Sequence, residues 1–564
     1  MQSKKKKSKQ SVHKSSNKKQ EKPRLELTTS LDGYFKKAFW IIFIGALFLL
    51  PYLSFDFGIT WDETLQNEYG KEILKYFETF GKEKKNLLPG GYILHSVAIY
   101  NYGGLFDFLS AFSNKYLSPF GEYETRHIIN SLFGLFTILF TSLLAKSLAG
   151  WRAGLICLLF MLCSPRFIGH SINNPKDIPF AAAYIFSIYY LIKFLKQLPK
   201  PDIKTMIFLS AGIALSINIR IGGLLVIAYI VLFSSIWFIP AYLKNKFPLK
   251  TLKKLTIYLL GIIVAGYFAG LIFWPYAHQA PLSNPFNALT YLSTTAVAGE
   301  WTMLFEGETI LTSDAPWYYI FKWMLISIPL FALLGVSLFL IQIRSIRKYK
   351  EFKWLLILAF TFLFPILYAM YKGSIVYDGW RHFIFTYPIL IILSAIGVEI
   401  ILRKYSNKIQ YFLYFILLIL LFIPVRWSIK NHPHEGVYFN AFAGGLENAW
   451  NQYETDYWGN SLRFAGEWLG DYCNEKYPGE HVTIFADGHP ESTAYYLKPK
   501  LGENSTIDIT DKVPYDFAIL YCRYRVNNPK FTDTWPPQGT IHEVKADNAT
   551  LCAIVEYPHQ FSSK

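Results

Sequence analysis

The sequence predicts a mostly α-helical, polytopic membrane protein that ends in a small α/β domain. Of its 564 residues, 52% are hydrophobic and only 17% are charged, whereas soluble domains average about 25% charged residues. Apolar runs long enough to cross a bilayer, about 20 residues each, recur between residues 38 and 425. After residue 427, acidic residues outnumber basic ones. This distribution excludes a soluble enzyme, a disordered chain, a disulfide scaffold and a single-pass receptor.

The first predicted element is a basic tail. Residues 1–24 contain nine lysines and Arg24 against one acidic residue, Glu21. The tail has no apolar stretch and is therefore not a cleavable signal peptide. It also lacks an aromatic residue that could stack on a nucleic-acid base. We predict that residues 1–37 form a disordered cytoplasmic tail that sets the topology, and we expect no nucleic-acid partner.

Residues 38–427 are predicted to form a membrane domain with about eleven transmembrane helices. The expected spans are 38–57, 127–149, 151–164, 178–195, 204–219, 221–241, 254–275, 317–341, 353–371, 383–402 and 409–426. Five alternate loops carry 19 Lys and Arg residues, whereas the loop 276–316 carries none. Because basic loops stay inside, we expect a multi-pass protein of the bacterial plasma (inner) membrane. Its N-terminus would be cytoplasmic and its C-terminal domain outside.

The predicted first outer loop, residues 58–125, does not resemble a linker. Apolar residues recur at helical spacing over 64–80 and over 105–117. Such segments are typical of amphipathic helices that lie along a membrane surface. The later loop 276–316 is rich in Pro, Trp and acidic residues, and we predict that it folds over a cavity as a lid.

Residues 428–564 are predicted to form a small extracytoplasmic α/β domain. A helix is expected over Gly459–Cys473. Short β-rich runs predict four strands, at Val482–Phe485, Phe517–Cys522, Thr540–Val544 and Leu551–Val555. Asp547-Asn548 would join the last two strands as a hairpin. Cys522 and Cys552 lie on strand-like segments, and the sequence leaves open a disulfide or two buried thiols.

Ionisable residues collect at the predicted outer ends of the spans, where a charge beside the bilayer is costly. The candidate site residues are Asp62, Glu63, Arg166, His170, Lys176, Asp177, Arg220, Arg381 and His382. Carboxylates beside several cations suit a general base that faces an anionic, phosphate-bearing leaving group. Arginine suits this role because its planar fork binds phosphate oxygens in pairs.

Each of these motifs also has a structural interpretation. The pair Asp62-Glu63 could cap a helix, and Asn174–Asp177 could cap the fourth span, with its proline fixing the helix start. Arg220 and Arg381 could be interfacial residues that snorkel to water. The motif His432-x-His434 resembles a metal-binding pair, but we predict a solvated linker there. The joint pattern of charges favours a site over these separate explanations.

These motifs resemble those of the GT-C glycosyltransferases. The similarity is to the family-39-like bacterial membrane transferases, which are related to protein O-mannosyltransferases and the lipid A aminoarabinose transferase. Asp62-Glu63 opens the long outer loop, a Ser-Pro-Arg-Phe-x-Gly-His-x-x-x-Asn-Pro-Lys-Asp segment occupies Ser164–Asp177, and an Asp-Gly-x-Arg-His motif occupies Asp378–His382. The resemblance covers nearly the whole chain after residue 30. The C-terminal domain lacks the β-trefoil repeat of eukaryotic O-mannosyltransferases, which argues against protein O-mannosylation.

The resemblance implies inverting transfer of a sugar from a polyprenyl-phosphate donor to a lipid, glycan or protein acceptor on the outer face. Asp62 would be the general base, and Glu63 is the second acidic residue that corresponds to the family's catalytic motif. Electrostatics, not the resemblance, assigns the donor phosphate or substrate to Arg166, His170, Lys176, Asp177, Arg220, Arg381 and His382. No glycine-rich nucleotide loop is present. The sequence identifies no certain cofactor, and a divalent metal ion at the acidic pair is left open.

Two other functions fit parts of the sequence. One is a transporter or flippase of a lipid-linked saccharide, and the other is a non-enzymatic envelope assembly protein that works through its outer domain. Transporters usually show internal repeats and charges near the middle of the membrane, and neither is evident here. An assembly protein would tolerate loss of Asp62 but not of residues 428–564.

Overall fold

A computed structural model describes residues 31–91, 98–244, 248–294, 301–501, 506–509, 514–523, 526 and 534–557. Residues 1–30 of the predicted disordered tail lie outside the described residues. Its last part does not fit the prediction, because the first helix already begins at Asp32. An acidic residue in the first turn of a helix interacts favourably with the helix dipole, which accounts for the early start.

Eighteen α-helices precede the C-terminal domain in the described chain. They are α1 (Asp32–Leu53), α2 (Glu63–Glu78), α3 (Leu105–Tyr116), α4 (Glu122–Ala149), α5 (Trp151–Leu162), α6 (Pro165–Asn173), α7 (Asp177–Gln197), α8 (Ile203–Ile219), α9 (Leu224–Leu243), α10 (Leu249–Ala269), α11 (Pro275–Gln279), α12 (Asn284–Thr294), α13 (Tyr319–Ser327), α14 (Leu330–Ile341), α15 (Ile343–Ile346), α16 (Phe352–Lys372), α17 (Tyr387–Lys404) and α18 (Asn407–Asn431). Strands β1 (Thr302–Phe305) and β2 (Glu308–Leu311) form an antiparallel hairpin between α12 and α13.

Eight helices in the described ranges are long and apolar enough to cross a membrane, namely α1, α4, α7, α9, α10, α16, α17 and α18. The bent pairs α5–α6 (69°) and α13–α14 (115°) raise the number to ten if each pair is one span. Eight to ten spans in the described ranges are close to the predicted number of about eleven, and every predicted segment is helical. The eleventh, α8, has only 17 residues. Pro165 and Pro329 stand at the two bends, where proline disfavours a continuous helix.

Helices α4, α5, α7 and α17 form the centre of the membrane domain. The most apolar stretches of α7 and α17 are 83% and 89% buried, against 11% in α18 and 17% in α10. Small residues allow close helix contacts. A methyl group built on Gly397 of α17, for example, would come within 2.3 Å of the Gly335 carbonyl oxygen of α14. The outer helices thus form an apolar perimeter around a tightly packed centre.

The two predicted surface helices are present as α2 and α3, and they pack against each other. Their contact is close at Gly70, where an added methyl group would come within 2.3 Å of the Asp107 carbonyl oxygen. Asp107 also forms a buried ion pair with Arg126 of α4, at 2.8 Å. This pair fixes the surface helices to the bundle.

The C-terminal domain contains α19 (Gly445–Ala449), α20 (Leu462–Lys476), α21 (Pro490–Leu497) and strands β3 (His481–Ala486), β4 (Thr506–Ile509), β5 (Phe517–Tyr521), β6 (Thr540–Ala546) and β7 (Ala549–Glu556). The sheet order is β4-β3-β5-β7-β6, with β3 parallel to β4 and β5, and β7 antiparallel to both of its neighbours. Helix α20 covers one face of the sheet. The predicted helix, four strands and hairpin are confirmed, whereas the short β4 and α21 were not predicted.

Two further details concern the cysteines of this domain and the edge of its sheet. No disulfide joins Cys522 and Cys552 in the structure. Instead, the Thr455 hydroxyl donates to Cys522 Sγ at 3.3 Å. The carboxyl ends of β3 and β5 lie against the membrane domain, since His489 contacts Thr64 and Arg523 contacts Asp378. In open α/β sheets this edge commonly faces a ligand.

Candidate active site

Arg381 lies at the centre of the candidate site, at the start of a 3-10 turn that leads into α17. Its Nε donates to Asp378 Oδ2 at 3.0 Å. Its Nη1 lies 3.7 Å from Asp62 Oδ2 and 3.7 Å from Asp177 Oδ2. The Arg381 side chain is only 7% exposed. One buried guanidinium group therefore connects three carboxylates from three distant parts of the chain.

The two acidic residues predicted from the sequence, Asp62 and Glu63, have different surroundings in the structure. Asp62 precedes α2, and its side chain, which faces Arg381, is 32% exposed. Glu63 is 1% exposed, and its Oε2 accepts hydrogen bonds from the Thr60 amide at 2.8 Å and hydroxyl at 3.0 Å. Its Oε1 lies 3.1 Å from His127 Nε2 of α4. Glu63 thus anchors the start of α2, and Asp62 alone faces the cluster.

Asp177 is the first residue of α7 and pairs with a second arginine. Its Oδ1 lies 2.8 Å from Arg220 Nη2. The Asn174 side chain brackets the carboxylate: its Nδ2 donates to Asp177 Oδ2, and its Oδ1 accepts from the Asp177 amide, both at 2.9 Å. The predicted cap is therefore present and also orients a site residue. The snorkelling alternative is wrong, because Arg220 and Arg381 turn toward buried carboxylates.

Lys176 is a cation without an ion-pair partner within 4 Å among the described residues. Its Nζ lies 4.4 Å from the centroid of the Tyr102 ring, which Arg220 also approaches, at 6.0 Å. Burial lowers the pKa of Lys176, and the nearby arginines lower it further. The Nε of Arg220 likewise has no hydrogen-bond partner in the described chain. On this side of the cluster, Lys176 and Arg220 therefore carry N–H donors that the described residues do not satisfy.

Two predicted site residues on α6 are turned toward the C-terminal segment instead. Arg166 Nη2 donates to the Tyr438 carbonyl at 3.0 Å. His170 Nε2 lies 3.2 Å from the Tyr457 hydroxyl, and its Nδ1 lies 3.1 Å from Asn174 Nδ2. Neither residue forms an ion pair with a carboxylate of the described ranges. The structure thus keeps Arg166 and His170 out of the charged cluster and uses them to seat the C-terminal segment.

Aromatic rings enclose the cluster. The Arg381 guanidinium lies 5.2 Å from the Tyr377 ring centroid and 5.1 Å from that of Trp458. His382, the last predicted site residue, packs edge-on against Tyr377 at 4.8 Å. Burial raises the pKa of Tyr102 to about 12. These rings help to bury Arg381, and the lower dielectric around a buried group strengthens its charge interactions.

The C-terminal domain adds two charged residues that the sequence did not indicate. Arg523 follows β5, with Nη1 3.2 Å from Asp378 Oδ1 and Nε 3.5 Å from Glu454 Oε1. Burial raises the pKa of Glu454 to about 7. The sequence feature that pointed to Arg523 is its position just after a buried parallel strand. This position indicates a site residue only when the sheet edge is known to face the membrane domain.

Asp378 itself has an unusual backbone. Asp378 and Gly379 both adopt left-handed conformations, with φ values of 55° and 69°. Asp and Asn tolerate this region better than other non-glycine residues. The tight turn lets one oxygen of Asp378 meet Arg381 and the other meet Arg523.

The predicted solvated linker at His432-x-His434 is wrong. His434 is 7% exposed. His432 Nδ1 lies 2.7 Å from Glu435 Oε1, and its Nε2 lies 3.0 Å from Asp56 Oδ2. Both ring nitrogens of His432 are therefore engaged by carboxylates. Burial lowers the pKa of His432, but the two carboxylates outweigh burial and raise it overall.

In the described parts of the chain, no group of three or more His, Cys, Asp or Glu side chains is arranged to hold a metal ion. Asp62 and Glu63 have no partner in common there. A divalent metal at this pair therefore stays an open prediction.

Comparisons with known proteins bear on this arrangement. Residues 43–279 match the family described as dolichyl-phosphate-mannose-protein mannosyltransferase. This range includes Asp62, Lys176, Asp177 and Arg220. A comparison with curated proteins gives no match.

The solved structures that are similar to this one include the following three. ArnT from Cupriavidus metallidurans in the apo state has a TM-score of 0.50 and 10% identity, covering 93% of this chain and 98% of that chain. The same ArnT bound to undecaprenyl phosphate has a TM-score of 0.47 and 12% identity, with the same coverage. The Archaeoglobus fulgidus oligosaccharyltransferase in complex with Zn and sulfate has a TM-score of 0.41 and 12% identity, covering 84% of this chain and 68% of that chain.

The family match and the fold shared with apo ArnT agree with the multi-pass helical domain and its small C-terminal sheet. On these grounds the chain is a multi-pass membrane glycosyltransferase of the GT-C fold.

Proposed function

We propose that this protein transfers a sugar, with inversion, from a polyprenyl-phosphate donor to a hydroxyl of a lipid, glycan or protein acceptor. The observation that carries the proposal is the cluster around Arg381, in which Asp62 is the one accessible carboxylate. Its side chain is 32% exposed, against 2% for Asp177 and 4% for Asp378. The matching family is described by a lipid-phosphate sugar, dolichyl phosphate mannose, which supports the donor class.

Asp62 acts as the general base. Its carboxylate takes the proton of the acceptor hydroxyl as the oxygen attacks C1 of the sugar from the side opposite the phosphate. The bond between C1 and the phosphate oxygen breaks, and its electron pair leaves with the lipid phosphate. The buried carboxylates of Asp177 and Asp378 hold Arg381 in place beside Asp62.

Lys176 and Arg220 stabilise the departing phosphate. Both cations approach the Tyr102 ring, and both carry N–H groups that have no hydrogen-bond partner in the described chain. Fixed cations aimed at a developing charge are the usual means of stabilising such a transition state. Asp177 orients Arg220, and Glu63 anchors the start of α2, so these two residues support the reaction without meeting the donor.

The site works on the outer face of a bacterial plasma membrane. Two basic residues of the predicted inner loops, Arg152 and Arg403, pair with Glu399 near the C-terminal end of α17, whereas Arg381 precedes its N-terminal end. A lipid-linked donor suits that side, because a polyprenyl carrier can be flipped across the membrane.

The test compares membranes that carry the wild type with membranes that carry Asp62→Asn at equal folded amounts. Polyprenyl-phosphate sugar is labelled in the membranes with radioactive sugar, and lipid, glycan and protein fractions are followed over time. We expect transfer to fall by about 10²–10⁴-fold, the usual contribution of a general base. The labelled donor should accumulate at the same time.

Glu63→Gln is the matched control, one residue away. We expect it to lower thermal stability, because it weakens the contacts with Thr60 and His127, while the folded fraction keeps most of its transfer rate. Equal labelled products from wild type and Asp62→Asn would refute the role of Asp62.

A further inference from the structure

The C-terminal domain contributes directly to the charged cluster, and we propose that its Arg523 is a positioning residue for the transfer reaction. This inference deepens the proposed function and rests on it. Arg523 is 10% exposed and reaches from the sheet edge to the membrane domain. Its Nη1 lies 3.2 Å from Asp378 Oδ1, and its Nε lies 3.5 Å from Glu454 Oε1.

Arg523 acts through Asp378. The two oxygens of this carboxylate have different partners: Oδ1 faces Arg523 and Oδ2 accepts from Arg381 Nε at 3.0 Å. Arg381 in turn points its Nη1 at Asp62 and Asp177. Charges therefore alternate from the sheet to the general base, and the outer domain fixes the guanidinium that faces it.

The position of Arg523 follows from the topology of the sheet. β5 is fully buried along its length and runs parallel to β3. Arg523 is the second residue after this strand, at the carboxyl end, where side chains of an open α/β sheet meet a ligand or a neighbour. His489, just after β3, contacts Thr64 of α2 at 3.0 Å. Two strand ends therefore approach the same site.

This arrangement goes beyond holding two domains together. Another arginine, Arg463 of α20, also ties the domain to the bundle, because its Nη1 donates to the Phe57 carbonyl at 3.0 Å. Arg463 pairs with Glu467 at 2.9 Å and with no carboxylate of the cluster. Arg523 is thus an interdomain arginine inside the charged network, whereas Arg463 is an interdomain arginine outside it.

The experiment measures kcat and donor KM for full-length variants, with labelled polyprenyl-phosphate sugar extracted from Asp62→Asn membranes as donor. Arg523→Gln should lower kcat by about 10- to 100-fold, the scale of a displaced catalytic group. Donor KM should change less than about twofold, because the groups proposed to bind phosphate are untouched. Arg523→Lys keeps the charge but lacks the planar fork, and it should restore only part of kcat.

Arg523→Gln leaves Asp378 and Glu454 short of a partner, so folding is measured for each variant. The double variant Arg523→Gln/Glu454→Gln removes one of these buried charges and keeps the test valid if the single variant unfolds. Arg463→Gln is the matched control, and it should lower thermal stability with kcat within about twofold of wild type.

The outcomes separate the two proposals. If wild-type transfer does not depend on Asp62, the proposed function fails. If it does, and folded Arg523→Gln or the double variant keeps the wild-type kcat, Arg523 has no positioning role. An equal loss of kcat in Arg463→Gln would also overturn the inference, because domain docking in general would then explain the effect.

Discussion

The two ends of α17 carry buried ion networks of opposite character. At its C-terminal end, Glu399 accepts from Arg152 Nε at 2.7 Å and Nη2 at 3.1 Å, and it also pairs with Arg403. At its N-terminal end, Arg381 lies 3.0 Å from Asp378 and 3.7 Å from both Asp62 and Asp177. Around the second network, Lys176 and Arg220 retain donor groups without partners in the described chain.

The difference shows how a buried ion network that stabilises the fold can be distinguished from one that binds a substrate. In the Glu399 network, the remaining Arg152 nitrogen reaches Gln410 and Tyr414, so all three nitrogens of the Arg152 guanidinium have a hydrogen-bond partner. Buried charges that lack a partner are costly. A network that keeps such groups is therefore a candidate for ligand binding, and the Arg381 cluster meets that description.

Breaking the Glu399 network should give the largest effect on stability. Glu399→Gln removes the shared partner of two arginines, and loss of one member of a buried pair costs about 3–5 kcal/mol. We expect a lower unfolding temperature in detergent, measured by thermal denaturation, with an unchanged transfer rate per folded molecule. A selective loss of transfer at normal stability would contradict the distinction between the two ends.

Removing a leftover donor group should show the reverse pattern. Lys176→Met deletes a charge that has no ion-pair partner within 4 Å in the described ranges and keeps an apolar chain beside Tyr102. We expect the unfolding temperature to hold and donor KM to rise about tenfold, equivalent to about 1.4 kcal/mol. Lys176→Arg should recover part of the affinity. A fall in stability without a change in donor KM would show that Lys176 stabilises the fold and does not bind the donor.

The smallest effect is expected at Asp487, which follows β3 at the sheet edge near the cluster. Its Oδ2 has no hydrogen-bond partner in the described chain, and burial raises its pKa to about 7. The folded state therefore binds more protons than the unfolded state, and stability falls as pH rises from about 4 to about 7. Asp487→Asn should be more stable than wild type at pH 8 and similar to it at pH 4. Thermal unfolding at both pH values tests this, and an equal shift at both would exclude ionisation as the cause.

Much of the fold could be predicted because its signals are local. Apolar runs located the eight long membrane helices and the bent pair α13–α14, whereas α6 of the other bent pair lies in a segment that was predicted to be a loop. Helical spacing located α2 and α3, and strand-like runs located four of the five strands of the outer sheet. The Asp-Asn turn also placed the β6–β7 hairpin, where Asp547 adopts a left-handed φ of 47°.

The site was harder to predict because its contacts are long-range. Asp62 and Glu63 are adjacent in sequence, yet one faces Arg381 and the other is buried against His127. Only the orientation of the first turn of α2 separates them. Arg523 could not be predicted, because its partnership with Asp378 depends on how the outer sheet docks on the bundle.

The left-handed turn at Asp378 has a consequence for how this site can vary. Asn would fit the backbone but lose the charge that joins Arg381 to Arg523, whereas Glu would keep the charge and strain the backbone. At Gly379 a side chain would have to adopt φ of 69° with its Cβ within 3.3 Å of the Trp323 ring. A complete substitution scan should therefore find no conservative replacement at either position, although neither residue is proposed to touch the reacting sugar.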